Sequence, residues 1–200
     1  MFNYDHTKSF FMKISILLTI IIGASMCFGA ISIQHAYAAV DMFLKLNDPP
    51  VIEGESQDKV HHDEIDVLAW SWGMSNSGTT HTGGGAGAGK ANFQDISITK
   101  YVDKSSPSLM LHAANGDHIA DGTLVVRKAG STPLEYLVYE LKDILVTSVS
   151  TGGSGGEDRL TENISLNFAQ IKVTYTEQTN TGGAGPTHIF QWNIPLNVAS

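Results

Sequence analysis

His61-His62-Asp63-Glu64 puts four metal-ligating or proton-carrying side chains in a row, and His112 and His118 flank the end of a helical stretch further on. Such groups can hold zinc or move protons. Adjacent residues at a strand entrance point in different directions, however, so the row does not converge on one ion unaided, and a solvated polar turn is the better reading. Gly84, Gly89 and Lys90 reproduce most of the phosphate-loop pattern G-x-x-x-x-G-K-[ST], but its last position is Ala91 and the hydroxyl that would hold magnesium is missing. Phe93, Ile96 and Ile98, spaced among polar residues, read as a strand where that motif needs a helix N-terminus facing the anion. Glu157-Asp158-Arg159 reads as a charged turn whose arginine pairs within the chain or across a subunit contact. No Ser-His-Asp spacing, nucleophile elbow or paired-carboxylate pattern stands out, so the sequence nominates no catalytic, cofactor-binding or metal-binding residue.

Trp70 and Trp72 share one face of a strand, with Trp192 near the C-terminus. A row of indoles can stack sugar rings, but the same residues more commonly fill a barrel core or an interface between protomers, and that is the preferred reading.

The elements that must carry these residues are strands. Val40, Met42, Leu44 and Leu46 alternate with polar neighbours, so residues 39 to 47 read as a half-buried strand ended by Pro49-Pro50. Further runs lie at 64 to 75, 91 to 103, 119 to 128, 134 to 149, 162 to 176 and 187 to 196. Seven strands separated by turn signals predict an all-β barrel or sandwich. In two long runs the apolar phase slips by one, from Leu141 to Ile144 and from Phe168 to Ile171, which predicts bulges near Lys142-Asp143 and Ala169-Gln170. One helix is expected: Ser105-Ser106-Pro107 offers a hydroxyl N-cap, Leu109, Met110, Ala113 and Ala114 an apolar stripe, and Asn115-Gly116 a stop. Residues 78 to 89 and 152 to 156 are glycine-rich and read as exposed loops or arms; a dozen loop residues in a compact domain commonly serve recognition.

Ahead of the first strand the chain differs in kind. Lys8 and Lys13 precede an uncharged run from Ile14 to Ile33, followed by Ala36-Tyr37-Ala38, the layout of a signal peptide cleaved after Ala38. Met12-Lys13 is the more usual start for such a peptide, so residues 1 to 11 read as a gene-model extension. The competing reading is an uncleaved membrane anchor, since this run could just span a bilayer. The domain organisation is thus a leader over 1 to 38 and one barrel over 39 to 200. The single cysteine, Cys27, lies in the leader, and Met26 is too large for a lipoprotein cleavage box, so the processed chain has no thiol. The whole chain of 200 residues is 42% hydrophobic with a net charge of -8, which excludes a disordered tail protein and disfavours nucleic acid and anionic lipid as partners.

The segments AVDMFLKL (39 to 46), HHDEIDVLAWSWGMS (61 to 75), AGKANFQDISITKYVDKSSPSLM (88 to 110), LVVRKAG (124 to 130) and VSTGGSGGEDRLTENISLNFAQIKVTY (149 to 175) closely resemble the Hcp family, the haemolysin-coregulated tube proteins of type VI secretion. The likeness runs to the WNIPLNVAS tail. The resemblance implies a small β-barrel of two packed antiparallel sheets with one helix, assembling as a homo-hexameric ring. Such rings stack into a secreted, non-enzymatic tube that carries effector proteins and works with a tip protein and a contractile sheath. By family position residues 73 to 90 match the loop that projects towards the adjacent ring. That match assigns ring stacking to His81, Thr82, Gly83, Gly84, Gly85, Gly87 and Gly89, and the helix with Pro107, Leu109 and Met110 is expected to border the lumen or the ring contact. One departure is the leader, since Hcp proteins ordinarily begin at the segment matching Ala39-Val40-Asp41-Met42. Either the leader is real and diverts this copy to export through the periplasm, or translation starts elsewhere and the leader is not used; the first carries with it an alternative function as an independent extracellular binding protein with the same barrel.

Overall fold

The computed structural model describes residues 40–76, 90–130, 132–156 and 158–200. In chain order these form β1 (Val40–Asn47), β2 (Ile65–Ser71), β3 (Met74–Asn76), β4 (Ala91–Phe93), β5 (Ile96–Tyr101), α1 (Ser106–Asn115), β6 (His118–Lys128), β7 (Leu134–Gly152), β8 (Thr161–Gln178) and β9 (Ala184–Asn193). Two runs expected as single strands are each broken in two. The run from 64 to 75 divides at Trp72–Gly73 into β2 and β3, and the run from 91 to 103 divides at Gln94–Asp95 into β4 and β5.

The strand order β5-β2-β1-β6-β7-β8 closes on itself through a β5–β8 pairing, giving a six-stranded antiparallel barrel, and β9 adds to β8 outside the closure. Its interior is the alternating apolar set that the sequence displays: Leu44 and Leu46 of β1, Ile65 of β2, Ile96 and Ile98 of β5, Leu124 of β6, Leu141 and Ile144 of β7, and Ile164 and Leu166 of β8. All ten are at most 1% exposed. Each is worth about 1.5–3 kcal/mol relative to exposure. Among the described residues, the buried core runs from Leu44 to Ile171.

The long strands β7 and β8 are what allow closure. The first six residues of β8, 161–166, pair with β5, while residues 170–178 pair with β9. The apolar phase does change where the sequence indicates, but not by bulging. Leu141 stays opposite Ile171 and Ile144 opposite Phe168 in unbroken register, with Asp143 at φ 54° between them. Both strands therefore turn over together, exchanging their inward faces without inserting a residue. The register shifts of β7 lie elsewhere, between Val146 and Ser148 against β8, and across from Val126/Arg127 against β6.

Helix α1 packs against β7 and ends as expected, with Gly116 at φ 73° and its N–H donating to the His112 carbonyl at 2.9 Å. Its start differs from expectation. Ser105 occupies the cap position but makes no capping bond; its hydroxyl donates instead to Asp103 Oδ1 at 2.5 Å. A nearby carboxylate is a stronger acceptor for that proton, and it holds the serine oxygen away from the helix amides.

Candidate functional site

The residue types that suggested chemistry are dispersed by the fold. His61 turns inward, 6% exposed, with its ring stacked on Phe43 at 4.3 Å and Nδ1 2.9 Å from Glu64 Oε2. His62 points outward and meets Asp63 at 2.7 Å. His112 lies against Ser108 O and Asp48, and His118 against Asp143. Among the described residues no three histidine, cysteine or acidic side chains gather as a metal site would need. Lys90 leads into β4, so the phosphate-loop spacing precedes a strand. Arg159 stacks within its own chain, 3.9 Å over the Tyr101 ring.

The tryptophans are joined to the core. Trp70 lies 4.9 Å from the Tyr139 ring, Trp72 packs on both Tyr139 and Phe93, and Phe93 stacks on Trp192 at 6.4 Å. Burial among them pushes the Tyr139 hydroxyl pKa up. This aromatic wedge ties β2, β4, β7 and β9 together, which leaves no free indole row.

That wedge is the foot of the glycine-rich arm. β3 and β4 pair as a two-stranded ribbon, Met74 opposite Phe93 and Asn76 opposite Ala91. Asn76 and Ala91, paired at the end of the ribbon, lie on a base seated on the barrel core through Trp72 and Phe93. His81, Thr82, Gly83, Gly84, Gly85, Gly87 and Gly89 themselves lie outside the described residues. A groove of about 500 Å³ opens beside the ribbon, lined by Met74, Asn76, Phe93, Phe190 and Trp192.

The helix residues divide. Pro107 is in the first turn; Leu109 is fully buried in the barrel core, so it offers nothing to a lumen or a neighbouring protomer. Met110 and Leu111, 41% and 60% exposed, are the apolar residues that α1 presents outward. Ala113 packs partly against the core, and Ala114 is exposed.

Two charged networks hold these surfaces in place, and neither was nominated from the sequence. Lys100 at the end of β5 is 0% exposed; its Nζ reaches Asp103 Oδ1 at 2.7 Å, Glu162 Oε1 at 2.8 Å and the Tyr101 carbonyl at 2.8 Å. Ser106 of α1 donates to the same Glu162 oxygen at 2.7 Å, so one buried cluster joins β5, β8 and the helix start. The signal for it was present: Lys100 continues the even-numbered inward set Ile96, Ile98, and Glu162 begins the set Ile164, Leu166, so opposite charges stand in phase with core positions on strands that pair. The second network centres on Arg127 of β6, which bonds Asp58 and Asp41 and lies 4.8 Å over the Phe43 ring. The guanidinium bonded to Asp58 holds that carboxyl far below the usual carboxylate range. It anchors the segment from 48 to 64 over the outer face of β1 and β6. Lys104 bridges Glu53 and Asp63 at 3.0 Å each, and its bond depresses the Asp63 pKa.

What the molecule presents, then, is a set of braced surfaces. Comparison with known proteins agrees in kind. Residues 43–175 match the family model described as "Type VI secretion system effector, Hcp". The chain is 58% identical over 163 residues to the protein hcp1 of Pseudomonas aeruginosa, covering 80% of this chain and 98% of that one. Among solved structures, Hcp1 of Salmonella typhimurium superposes with a TM-score of 0.64 at 36% identity, covering 80% of this chain and 97% of the other. A structure described as that of a type six secretion system protein superposes with a TM-score of 0.74 at 28% identity, covering 80% and 99%. With a closed six-stranded barrel, one short helix and a family match over most of its length, this chain belongs to the Hcp family and is a tube and effector protein of type VI secretion.

Proposed function

We propose that the protein is secreted as a hexameric ring, that rings stack into the inner tube of a contractile secretion machine, and that the lumen carries effector proteins. The observation that bears most weight is the family match joined to a fold with a closed barrel and surfaces braced from within. A ring needs a heterologous lateral contact that closes after a sixfold turn and separate faces for stacking. Strand walls supply the first. The ribbon β3–β4 supports the second, because it seats the two ends of the glycine-rich segment on the barrel core. In this reading His81, Thr82, Gly83, Gly84, Gly85, Gly87 and Gly89 make the stacking contact, and Met110 with Leu111 border the lumen or the ring contact. A tip protein, a contractile sheath and effector proteins are the partners. Residues 1 to 38 are a cleaved leader that routes this copy through the periplasm, and residues 39 to 200 are the tube domain. The alternative of an independent binding barrel loses its tryptophan row, since those rings pack on Phe93 and Tyr139.

Negative-stain imaging of residues 39–200 tests the assignment. Unaltered protein forms rings that join into tubes. Gly85→Trp leaves rings but no tubes; long tubes from that variant refute the arm's role. Met110→Asp keeps the fold, since the side chain is already exposed, and weakens ring stability or cargo retention; no change in either removes the helix from both surfaces.

A further inference from the structure

On β6 the residues from Leu124 to Arg127 are buried in succession, although a barrel wall with one face to the core buries alternate ones. Leu124 and Val126, opposite Leu44 and Met42, share the inward phase; Val125 and Arg127 face out and are covered there. Val125 stands opposite Phe43 of β1 and Val138 of β7, and the same row continues through Thr174 of β8 to Ile189 of β9. It crosses five strands on the outer face of the sheet. Its two ends differ: Ile189 is 62% exposed, whereas Phe43 and Val125 are 4% and 5% exposed. The cover comes from the segment between β1 and β2, whose His61 ring stacks on Phe43 and whose Asp58 bonds Arg127 where that side chain lies over the same ring.

That cover is fastened by charge rather than by apolar burial. Ile52 and Ile65 enter the core at its two ends, but residues 53–64 between them bury Ser56 and His61 and no apolar side chain, and Val60 is 71% exposed. Its own main chain folds it into a compact piece, with the Gly54 N–H donating to the Asp63 carbonyl at 2.7 Å and the Asp63 N–H to the Ser56 carbonyl at 3.0 Å. Its ties to the rest of the molecule are polar. Asp58 bonds Arg127, Glu53 and Asp63 each meet Lys104 Nζ at 3.0 Å, and Glu55 accepts from the Lys104 amide at 3.2 Å. A piece that is folded on itself, hinged at two core residues and held by ion pairs opens at lower cost than the barrel beneath it. Salt weakens the exposed pairs and leaves the apolar core intact.

We propose that residues 53–64 are a strap, hinged at Ile52 and Ile65, that lifts when its ion pairs are released while the barrel stays closed. Lifting uncovers Phe43 and Val125 and makes the outer apolar row continuous from β1 to β9. The strap is therefore a salt-sensitive switch between a covered and an uncovered outer wall. It stands on contacts within one protomer and is independent of the ring proposed above.

Two adjacent residues of β6 supply the test, because Val125 lies under the strap and Val126 lies on the inward face. Cys27 is the single cysteine, so Val125→Cys and Val126→Cys are each made in a full-length Cys27→Ser background and labelled with a maleimide under native conditions. Each rate is divided by that of the same variant unfolded in urea at the same salt. Val125→Cys is expected to label about tenfold or more faster than Val126→Cys. Lys104→Gln removes the cation between Glu53 and Asp63 and accelerates labelling at Val125→Cys about two- to tenfold, as does raising NaCl from about 0.05 to 0.5 M; neither accelerates Val126→Cys to the same degree. Lys172→Gln breaks the Glu140 pair on the same outer face away from the strap and changes neither rate. A Val125→Cys rate no faster than that of Val126→Cys, a rate indifferent to Lys104→Gln and salt, or equal acceleration at both positions overturns the strap. Tryptic cleavage after Lys59 of otherwise unaltered protein needs no engineered thiol: Lys104→Gln accelerates it several-fold, and an unchanged cleavage rate counts against the proposal in the same way.

Discussion

Lys100→Met removes the only cation that the described residues bring to a cluster in which Asp103 and Glu162 are 6% and 0% exposed at the side chain. The wild-type cluster already holds two carboxylates against one ammonium, and Glu162 Oε2 is buried without a partner. Taking away the ammonium leaves two anions in one buried site, bonded among the described residues by the Ser105 and Ser106 hydroxyls and the Ser105 amide. Breaking a buried pair from one side costs about 3–5 kcal/mol because the remaining charge is uncompensated. For a barrel of this size each kcal/mol shifts the melting midpoint by about 2–4 °C, so the variant melts roughly 6–20 °C lower. The double variant Lys100→Met with Glu162→Leu recovers part of the loss, since it leaves one buried anion, Asp103, where the single variant leaves two. Thermal and urea denaturation of residues 39–200, at one protein concentration because assembly adds to apparent stability, reads both. A Lys100→Met protein within about 0.5 kcal/mol of wild type, or a double variant less stable than the single one, refutes the claim that this pair locks the helix start to the barrel.

Three other perturbations test separate parts of the structure. Asp58→Asn breaks the Arg127 bond; because the folded-state pKa of Asp58 is depressed, its stabilisation is present above the unfolded carboxylate pKa of about 4 and is lost as pH falls towards the depressed value. Urea midpoints of wild type and variant therefore differ at pH 7 and draw together progressively as pH falls below about 4, and a gap that widens in acid contradicts the assignment. Gly54→Ala builds a Cβ 2.4 Å from the Glu64 carbonyl oxygen and 2.5 Å from Ile65 Cα, both backbone, so the 48-to-64 segment cannot stay seated; a loss of more than about 3 kcal/mol is expected in the same assay. Asp95→Ala deletes an acceptor bonded by Thr147 Oγ1 at 2.6 Å and Asn167 Nδ2 at 2.7 Å, where β5, β7 and β8 meet; amide exchange at that junction accelerates with a cost of about 1–2 kcal/mol, and unchanged exchange rules out the pin.

Most of the barrel was legible as alternation. The inward sets of β1, β7 and β8 are read from apolar residues at every second position on either side of the phase changes, and the helix end from Asn115-Gly116, whereas β6, with Leu124 to Arg127 buried in succession, is not read by alternation. Breaks within strands were harder. Trp72 and Phe93 belong to apolar runs, and only the pairing of β3 with β4 reveals that a ribbon leaves the barrel there. The phase changes at Asp143 and Ala169 were visible, but alternation cannot distinguish an inserted residue from two strands turning over together, because both shift the apolar phase by one. Met110 reads as part of an apolar stripe, yet only Leu109 of that pair is inward, since a ten-residue helix on one strand buries a narrow face. The charged clusters were missed because each residue alone looks like a solvated one. Lys100 becomes informative only when Glu162 is known to lie opposite.

Sedimentation velocity of residues 39–200 across a wide range of concentration tests the central claim most directly. The account predicts a dominant species of six protomers at moderate concentration, with identical rings in micrographs of that fraction. Single chains throughout the range would contradict it.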